Sequence, residues 1–175
     1  MAKNLEIERK FLLKKVPNFP VKGVGKKWDC YDIYQFYYPE AKDKWTRYRL
    51  KVFDGYSLGE RKEEYYKTIK KKISDGVYEE DETKITKEQF YALWRDKKSK
   101  KLIEKTRYWY KENNLVWEID LYKGMKLVTL EVELKDIKQK IKIPKLINDC
   151  IITEVTSIKG FSNFSLSELI KRNKK

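Results

Sequence analysis

The sequence predicts a mainly β (α+β) protein: an eight-stranded antiparallel closed barrel with two or three flanking helices, formed by a single domain over residues 1–175. Three observations support this prediction. Turn signals divide the chain into short runs of strand-like composition. Several of these runs alternate charged and apolar residues at period two, which is typical of a strand with two different faces. Finally, no repeat, linker or low-complexity segment separates one part of the chain from another.

The expected strands follow one another between loops and tight turns. They lie at residues 4–13, 31–38, 45–53, 63–73, 76–85, 101–112, 114–124 and 126–136. Loops are expected at 21–27 and 54–60, and tight turns at Ser74-Asp75-Gly76, Asn113-Asn114 and Lys123-Gly124. The second strand, which is rich in aromatic residues, is expected to end at Pro39.

A helix is expected over residues 86–99. Thr86 and Gln89 form the pattern of a capping box, in which each side chain bonds to the backbone amide of the other residue. An apolar stripe follows at helical spacing, formed by Phe90, Leu93 and Trp94. The segment therefore predicts a helix that packs on the sheet by one face.

Two shorter helices are expected near the end of the chain. The first covers residues 143–151 and has Pro144 in its first turn, where the missing amide hydrogen costs nothing. The second covers residues 164–175 and is expected to be capped by Ser165 and Glu168.

Composition limits the function classes. The 41 Lys and Arg exceed the 27 Asp and Glu, so the net charge of +14 favours polyanionic partners, although a lysine-rich surface alone explains it equally well. Because the chain has no histidine, Ser-His and Cys-His mechanisms and His-ligated metals are excluded. Cys30 and Cys150 support neither a disulfide framework nor a zinc site. Any metal must then be bound by oxygen, which indicates Mg²⁺, Mn²⁺ or Ca²⁺.

Neither a signal peptide nor a membrane-length apolar run is recognised, so we expect a cytoplasmic protein.

Charged residues recur at period two on several of the expected strands. The rows are Glu6, Glu8 and Lys10; Arg47 and Arg49; Lys70 and Lys72; Glu80 and Glu82; Lys105 and Arg107; Glu118 and Asp120; Glu131 and Glu133. Like charges close together repel, so such rows are tolerable where they meet opposite charges, a metal ion and a polyanion. A barrel with these faces inward satisfies that condition, and its apolar faces then point outward beneath the helices.

A charge count extends this prediction to a metal ion. Eight acids of these rows face six bases (Lys10, Arg47, Arg49, Lys70, Lys105, Arg107), which leaves about two negative charges, enough for one divalent cation. Uncompensated buried charge is very costly. The sequence therefore predicts an occupied metal site inside the barrel.

The ordered set of motifs resembles the CYTH superfamily, also called triphosphate tunnel metalloenzymes. The segment EIERK matches the ExExK signature, and RYR, YYKTIKKK, YEEDE, EKTRY, WEID, LEVEL and TEVT follow in order over nearly the whole chain. A single ExExK would be weak support, because charged alternation is common, whereas the ordered set is specific. The resemblance implies an eight-stranded antiparallel barrel around a tunnel that cleaves or cyclises triphosphates with Mg²⁺ or Mn²⁺.

The resemblance also implies roles for individual residues. The implied metal ligands are Glu6, Glu8, Glu131 and Glu133, and these four with Lys10 form the implied catalytic set. The implied triphosphate-binding residues are Lys10, Arg47, Arg49, Lys70, Lys105, Arg107 and Lys159. The implied supporting acids are Glu80, Glu82, Glu118 and Asp120. The sequence departs from the family pattern at Tyr78, at Lys71 and at residues 160–163, which leaves the ligand affinity and the geometry of the last helix open.

We therefore expect metal-dependent hydrolysis of a triphosphate. Inorganic triphosphate is the first choice over an organic triphosphate, since no segment indicates a base pocket. The alternatives are a class IV adenylyl cyclase, which makes cyclic AMP from ATP, and a non-catalytic barrel that binds polyphosphate or RNA. The second is disfavoured because four pairs of acids would repel a polyanion. The expected partner is a triphosphate-containing small molecule or the 5′-triphosphate of an RNA. No membrane association is expected, and the protein is expected to be a monomer or a homodimer.

Aromatic residues on two of the expected strands are predicted to pack on the outer wall of the barrel instead of binding a ligand. They are Tyr34, Phe36, Tyr37, Tyr38, Tyr108, Trp109 and Tyr110.

Overall fold

The computed structural model describes residues 4–19, 28–54, 61–95 and 102–172. The strands in these ranges are β1 (Leu5–Leu13), β2 (Trp28–Ala41), β3 (Lys44–Phe53), β4 (Lys62–Ser74), β5 (Val77–Lys84), β6 (Ile103–Glu112), β7 (Leu115–Tyr122), β8 (Val128–Glu133) and β9 (Ile151–Glu154). The helices are α1 (Lys87–Arg95), α2 (Lys145–Asn148) and α3 (Asn163–Arg172). The expected loop at 21–27, most of the loop at 54–60, the end of the 86–99 helix and residues 173–175 lie outside the described residues.

Eight of these strands close into an antiparallel barrel, which confirms the predicted fold. Around the ring the order is β1-β5-β4-β3-β2-β6-β7-β8, and β8 pairs with β1 again. The seam between β1 and β5 is short: residues 5–7 pair with residues 77–79. β9, which the sequence did not predict, pairs with β1 further along the same edge, where Phe11 faces Glu154.

The short seam depends on a glycine. Gly76 has φ of +73°, and its carbonyl oxygen accepts a 2.8 Å hydrogen bond from the amide of Glu8. A Cβ atom at this position would lie 2.5 Å from the carbonyl oxygen of Glu8, closer than real Cβ contacts. Glycine therefore permits both the left-handed turn and the close approach that fixes Glu8 in the wall.

Most of the apolar core lies outside the barrel, as predicted. One cluster packs the outer faces of β1, β6, β7 and β8 against α2, with Phe11, Trp117 and Ile147 among its buried members. Another packs Phe36 and neighbouring side chains of β2, β3 and β4 against Phe90 of α1. Because the apolar faces are used on the outside, the opposite faces of the same strands are left for the lumen.

The prediction that Pro39 ends the second strand is wrong. β2 continues to Ala41 and shifts its register against β3 between Pro39 and Ala41. On its other side β2 pairs with β6 only as far as Gln35. After Gln35, β2 is no longer paired with β6, so Pro39 lies where a residue without an amide hydrogen is tolerated.

The capping box of the first helix is confirmed. The amide of Gln89 donates to Thr86 Oγ1 at 3.2 Å, and the amide of Thr86 donates to Gln89 Oε1 at 2.9 Å.

The other two helices differ from their predicted bounds. α2 has four residues, and Pro144 is its N-cap residue instead of lying in the first turn. α3 begins at Asn163, and the oxygen Oγ of Ser162 accepts a 3.1 Å bond from the amide of Ser165. Ser162 is therefore the cap, so the predicted cap at Ser165 and Glu168 is wrong. Across the described ranges, none of the helices has the length and apolar character needed to cross a membrane.

Candidate functional site

The barrel lumen contains a cavity of about 180 Å³ that is lined mainly by charged side chains. The lining acids are Glu6, Glu8, Glu80, Glu82, Glu118, Glu131 and Glu133. The lining bases are Lys10, Arg47, Arg49, Lys51, Lys70 and Arg107. Twelve of the fifteen site residues expected from the sequence thus lie around one cavity, because each row of alternating charges occupies the inner face of its strand.

Three expected site residues do not line this cavity. Lys105 and Asp120 are fully buried in the barrel wall, where Lys105 Nζ lies 2.5 Å from Asp120 Oδ2. Lys159 borders a neighbouring cavity of about 300 Å³ at one end of the barrel. The structure therefore gives no support to direct triphosphate contacts by Lys105 or Lys159. Asp120, expected as a supporting acid, lies outside the cavity and contacts the bases Lys105 and Arg107.

Several lining residues were missed by the sequence analysis. Lys51 continues the period-two row of Arg47 and Arg49, so the sequence carried the signal for it. Tyr37 was expected on the outer wall, but it lines the cavity and accepts a 2.6 Å bond from Gln35 Nε2, two residues before it on the same face. By contrast, Phe36 packs outward against α1, as predicted.

The start of α3 closes one end of the lumen. Ser162, Asn163 and Phe164 line the cavity, and Phe164 stacks on Trp45 of β3 with 5.4 Å between ring centroids. Lys10 Nζ donates to the carbonyl oxygen of Phe161 at 3.1 Å. Residues 161–164 are distant in sequence from the strands that they contact, and the alternation within a strand says nothing about such contacts. Sequence patterns alone could therefore not place α3 at this end of the lumen.

The opposite end of the lumen carries acids and borders the surface. Glu118 and Glu133 line both the cavity and an outer groove beside Asn114 and Val116. The site is therefore asymmetric, with aromatic rings and α3 at one end and carboxylates at the other.

Three guanidinium groups provide a potential anion site. Arg49 is 8% exposed, and Gln35 Oε1 accepts a 3.3 Å hydrogen bond from its Nε. Within the described ranges Arg49 has no carboxylate partner, and burial together with the charges of Arg47 and Arg107 lowers its pKa. The Nε atom of Arg47 is also buried without a hydrogen-bond partner in the described part of the chain. A buried donor without a partner, next to a guanidinium that no described carboxylate neutralises, favours a bound anion such as a phosphate oxygen.

Part of the acid set neutralises the neighbouring bases. Glu131 lies 2.6 Å from Lys10 Nζ and 2.7 Å from Arg107 Nη2. Burial alone would raise the pKa of Glu131, but the charges of Lys10 and Arg107 hold it well below its usual range. Against the same effect of burial, the charges of Arg47 and Lys70 lower the pKa of Glu80 to about 2.

Glu8 and Glu133 form a different kind of pair. They are direct partners in the register of β1 and β8, and in the described ranges neither makes an ion pair with a base. Burial, followed by the charges of Glu118, Glu8 and Glu80, raises the pKa of Glu133. Repulsion between acids that share a site is relieved by a cation, so this end of the lumen favours one.

Glu6 shares features with both groups of acids, because it contacts a base and also lies close to other carboxylates. It contacts Lys70, yet burial and the charges of Glu8 and Glu80 raise the pKa of Glu6 to about 8.

The donor set fits a hard divalent cation. Its oxygens all come from carboxylates, which are the ligands that Mg²⁺ and Mn²⁺ prefer. Among the described residues no three acids are close enough together to coordinate an ion as they stand. Of the four expected metal ligands, Glu6 and Glu131 contact bases, whereas Glu8 and Glu133 face each other.

Comparison with known proteins supports the fold. No protein-family model matches the chain, and no curated protein matches it either. A conserved hypothetical protein from Pyrococcus furiosus is similar in structure, with a TM-score of 0.52, 19% identity, and coverage of 82% of this chain and 84% of that one. The PH1012 protein from Pyrococcus horikoshii OT3 has a TM-score of 0.53 at 19% identity, covering 76% of this chain and 81% of that one. At this identity the likeness shows a shared barrel fold and leaves the activity to the chemistry of the lumen.

Proposed function

We propose that this protein hydrolyses a triphosphate inside the barrel with the help of Mg²⁺ or Mn²⁺. One observation carries the proposal: among the described residues, the same cavity holds a buried guanidinium without a carboxylate partner, Arg49, and a facing pair of carboxylates without an ion-paired base, Glu8 and Glu133. An anion and a cation are both needed to complete such a site. A metal-bound phosphate chain supplies both.

The bases of the lumen would hold and orient the phosphate chain. Arg47 and Arg49 suit bidentate contacts to phosphate oxygens, while Lys10 and Lys70 act as point charges. Together they would stabilise the charge that develops on the transferred phosphoryl group. A divalent ion held by Glu8 and Glu133 would neutralise phosphate charge and polarise the terminal phosphoryl group.

Inorganic triphosphate is the substrate that the cavity favours. The volume of about 180 Å³ is small beside the roughly 300–1,000 Å³ of pockets that enclose drug-sized ligands. Charged side chains dominate its lining, and the start of α3 closes one end. This combination suits a bare phosphate chain better than one that carries a base and a sugar.

A substrate panel tests the proposal. The purified protein is incubated with inorganic triphosphate, ATP, thiamine triphosphate or 5′-triphosphate RNA, each with Mg²⁺ or Mn²⁺, and phosphate release and cyclic AMP are measured. We expect fastest phosphate release from inorganic triphosphate and its loss when the metal is chelated. Cyclic AMP from ATP would assign a cyclase instead, and tight binding without turnover of any substrate would assign a non-catalytic barrel.

A pair of matched variants shows whether turnover takes place in the lumen. Arg49→Gln removes the guanidinium that lines the cavity and has no carboxylate partner in the described part of the chain, and is expected to lower kcat/KM by roughly a hundredfold. Arg9→Gln removes an arginine outside the lumen, whose Nη2 lies 2.5 Å from Glu154, and is expected to change kcat/KM little. Equal effects of the two substitutions would contradict the assignment of the lumen as the site.

A further inference from the structure

Asn163, the first residue of α3, contacts two buried side chains that the proposed mechanism does not use. Its Oδ1 atom accepts a 2.7 Å hydrogen bond from the hydroxyl of Tyr122 and a 3.2 Å bond from Lys105 Nζ. Tyr122 is 2% exposed and Lys105 has no exposed surface. A single amide oxygen of α3 therefore satisfies two donors buried in the barrel wall.

From Lys105 the contacts continue through Asp120 to Arg107. Asp120 Oδ2 accepts a 2.5 Å bond from Lys105 Nζ, and the two oxygens of Asp120 accept 2.7 Å bonds from Nε and Nη2 of Arg107. Asp120 is fully buried, so water does not compete for these bonds. Two parallel bonds from a guanidinium to one carboxylate fix the plane of the guanidinium.

Arg107 brings this series of bonds to the lumen. It lines the cavity, and its Nη2 atom lies 2.7 Å from Glu131 Oε2 of β8, the second strand along from β6. The side chains of Asn163, Lys105, Asp120 and Arg107 thus form a continuous path, the positioning path, from the start of α3 to the cavity in which the phosphate chain is proposed to bind.

We propose that Asn163 and Lys105 are positioning residues, which hold the Arg107 guanidinium in the orientation for phosphate and couple that orientation to the docking of α3. Lys105 acts through Asp120 and does not touch the substrate, because its ammonium group is enclosed in the wall. The catalytic consequence rests on the proposed function, whereas the coupling between α3 and Arg107 does not. Since coupling is reciprocal, a ligand that fixes Arg107 also tightens the docking of α3.

Hydrogen exchange tests the coupling without any substrate. Lys105→Met removes the ammonium group, so Asn163 Oδ1 loses the bond from Lys105 and keeps the bond from the Tyr122 hydroxyl. We expect the amides of α3 to exchange about tenfold faster than in the wild-type protein. The amides of α1, which packs on a different apolar cluster, serve as the internal control and are expected to exchange at an unchanged rate. Unchanged exchange in α3, or equal acceleration in both helices, would overturn the proposal.

Kinetics test the positioning role. Asn163→Leu removes the acceptor at nearly constant size and is expected to lower kcat about tenfold with little change in KM, because the phosphate is bound but Arg107 is poorly oriented. Asn163→Asp keeps an oxygen for Tyr122 and Lys105 and is expected to recover most of kcat. Asn148→Leu, the same substitution on the exposed face of α2, is the matched control and is expected to match the wild-type protein.

The double variant separates a shared path from two independent effects. If Asn163 and Lys105 act through the same path, Asn163→Leu combined with Lys105→Met loses no more activity than the more damaging single substitution. If the loss of activity in the double variant equals the product of the two single losses, the shared path is contradicted. Failure of Asn163→Asp to recover activity would contradict it as well. If the wild-type protein cleaves no substrate of the panel, the proposed function fails, and the exchange rates of α3 alone decide the coupling.

Discussion

Replacing Glu133 with Gln is expected to lower kcat/KM for triphosphate cleavage in Mg²⁺ by roughly a hundredfold without reducing the free energy of unfolding. Glu133 faces Glu8 across β1 and β8, and burial together with neighbouring acids raises the pKa of Glu133. The negative charge of Glu133 therefore reduces the stability of the folded protein, and the same charge would attract a cation. Removing that charge relieves repulsion among the acids of the lumen and would weaken the proposed metal site.

Phosphate release, Mn²⁺ affinity and urea unfolding together check this prediction. Glu8→Gln is expected to give the same combination of lower activity, weaker metal binding and unreduced stability. Glu154→Gln is the matched control, since Glu154 is an acid outside the lumen that pairs with Arg9. Undiminished cleavage by Glu8→Gln and Glu133→Gln would show that these carboxylates do not bind the metal.

Replacing Asp120 with Asn is expected to destabilise the protein by about 3 kcal/mol. Asp120 is fully buried and accepts bonds from two cations, Lys105 and Arg107. Burial and the charge of Arg107 lower the pKa of Lys105 to about 8, against the opposing charge of Asp120. Without the carboxylate, the ammonium group and the guanidinium remain close together with one fewer anion between them. Urea unfolding monitored by circular dichroism measures the loss.

Two further variants separate the buried charge from a simple change of size. Asp32→Asn removes a carboxylate on the outer side of the barrel, which accepts bonds from Thr106 and Lys123, and is expected to cost at most about 1 kcal/mol. Adding Lys105→Met to Asp120→Asn removes the uncompensated ammonium group and is expected to restore at least about 1 kcal/mol. A loss for Asp120→Asn no larger than that for Asp32→Asn would contradict the role of the buried pair.

The barrel and most of its lumen could be predicted because both depend on local alternation. In β1, Glu6, Glu8 and Lys10 share one face by the geometry of an extended chain, whatever the rest of the protein does. The outer apolar faces obey the same rule, as Trp117 and Ile119 of β7 illustrate. Period two therefore determines which side chains share a face.

Alternation does not determine how deeply a side chain is buried. Lys105 lies on the same face of β6 as Arg107, yet Tyr122 and Asn163 cover it, and Asn163 belongs to a helix 58 positions away in sequence. The position of α3 depends on long-range contacts such as the stacking of Phe164 on Trp45. For the same reason β9 was missed, since its four residues pair with β1 from the far end of the chain.

A crystal structure of the protein with Mn²⁺ and inorganic triphosphate, obtained under conditions in which little triphosphate is hydrolysed, shows directly whether the lumen binds both ions. We expect an anomalous Mn²⁺ peak in the lumen beside Glu8 and Glu133, and a phosphate chain that contacts Arg47 and Arg49. Mn²⁺ and phosphate bound outside the barrel, with Arg49 still lacking an anionic partner, would contradict it.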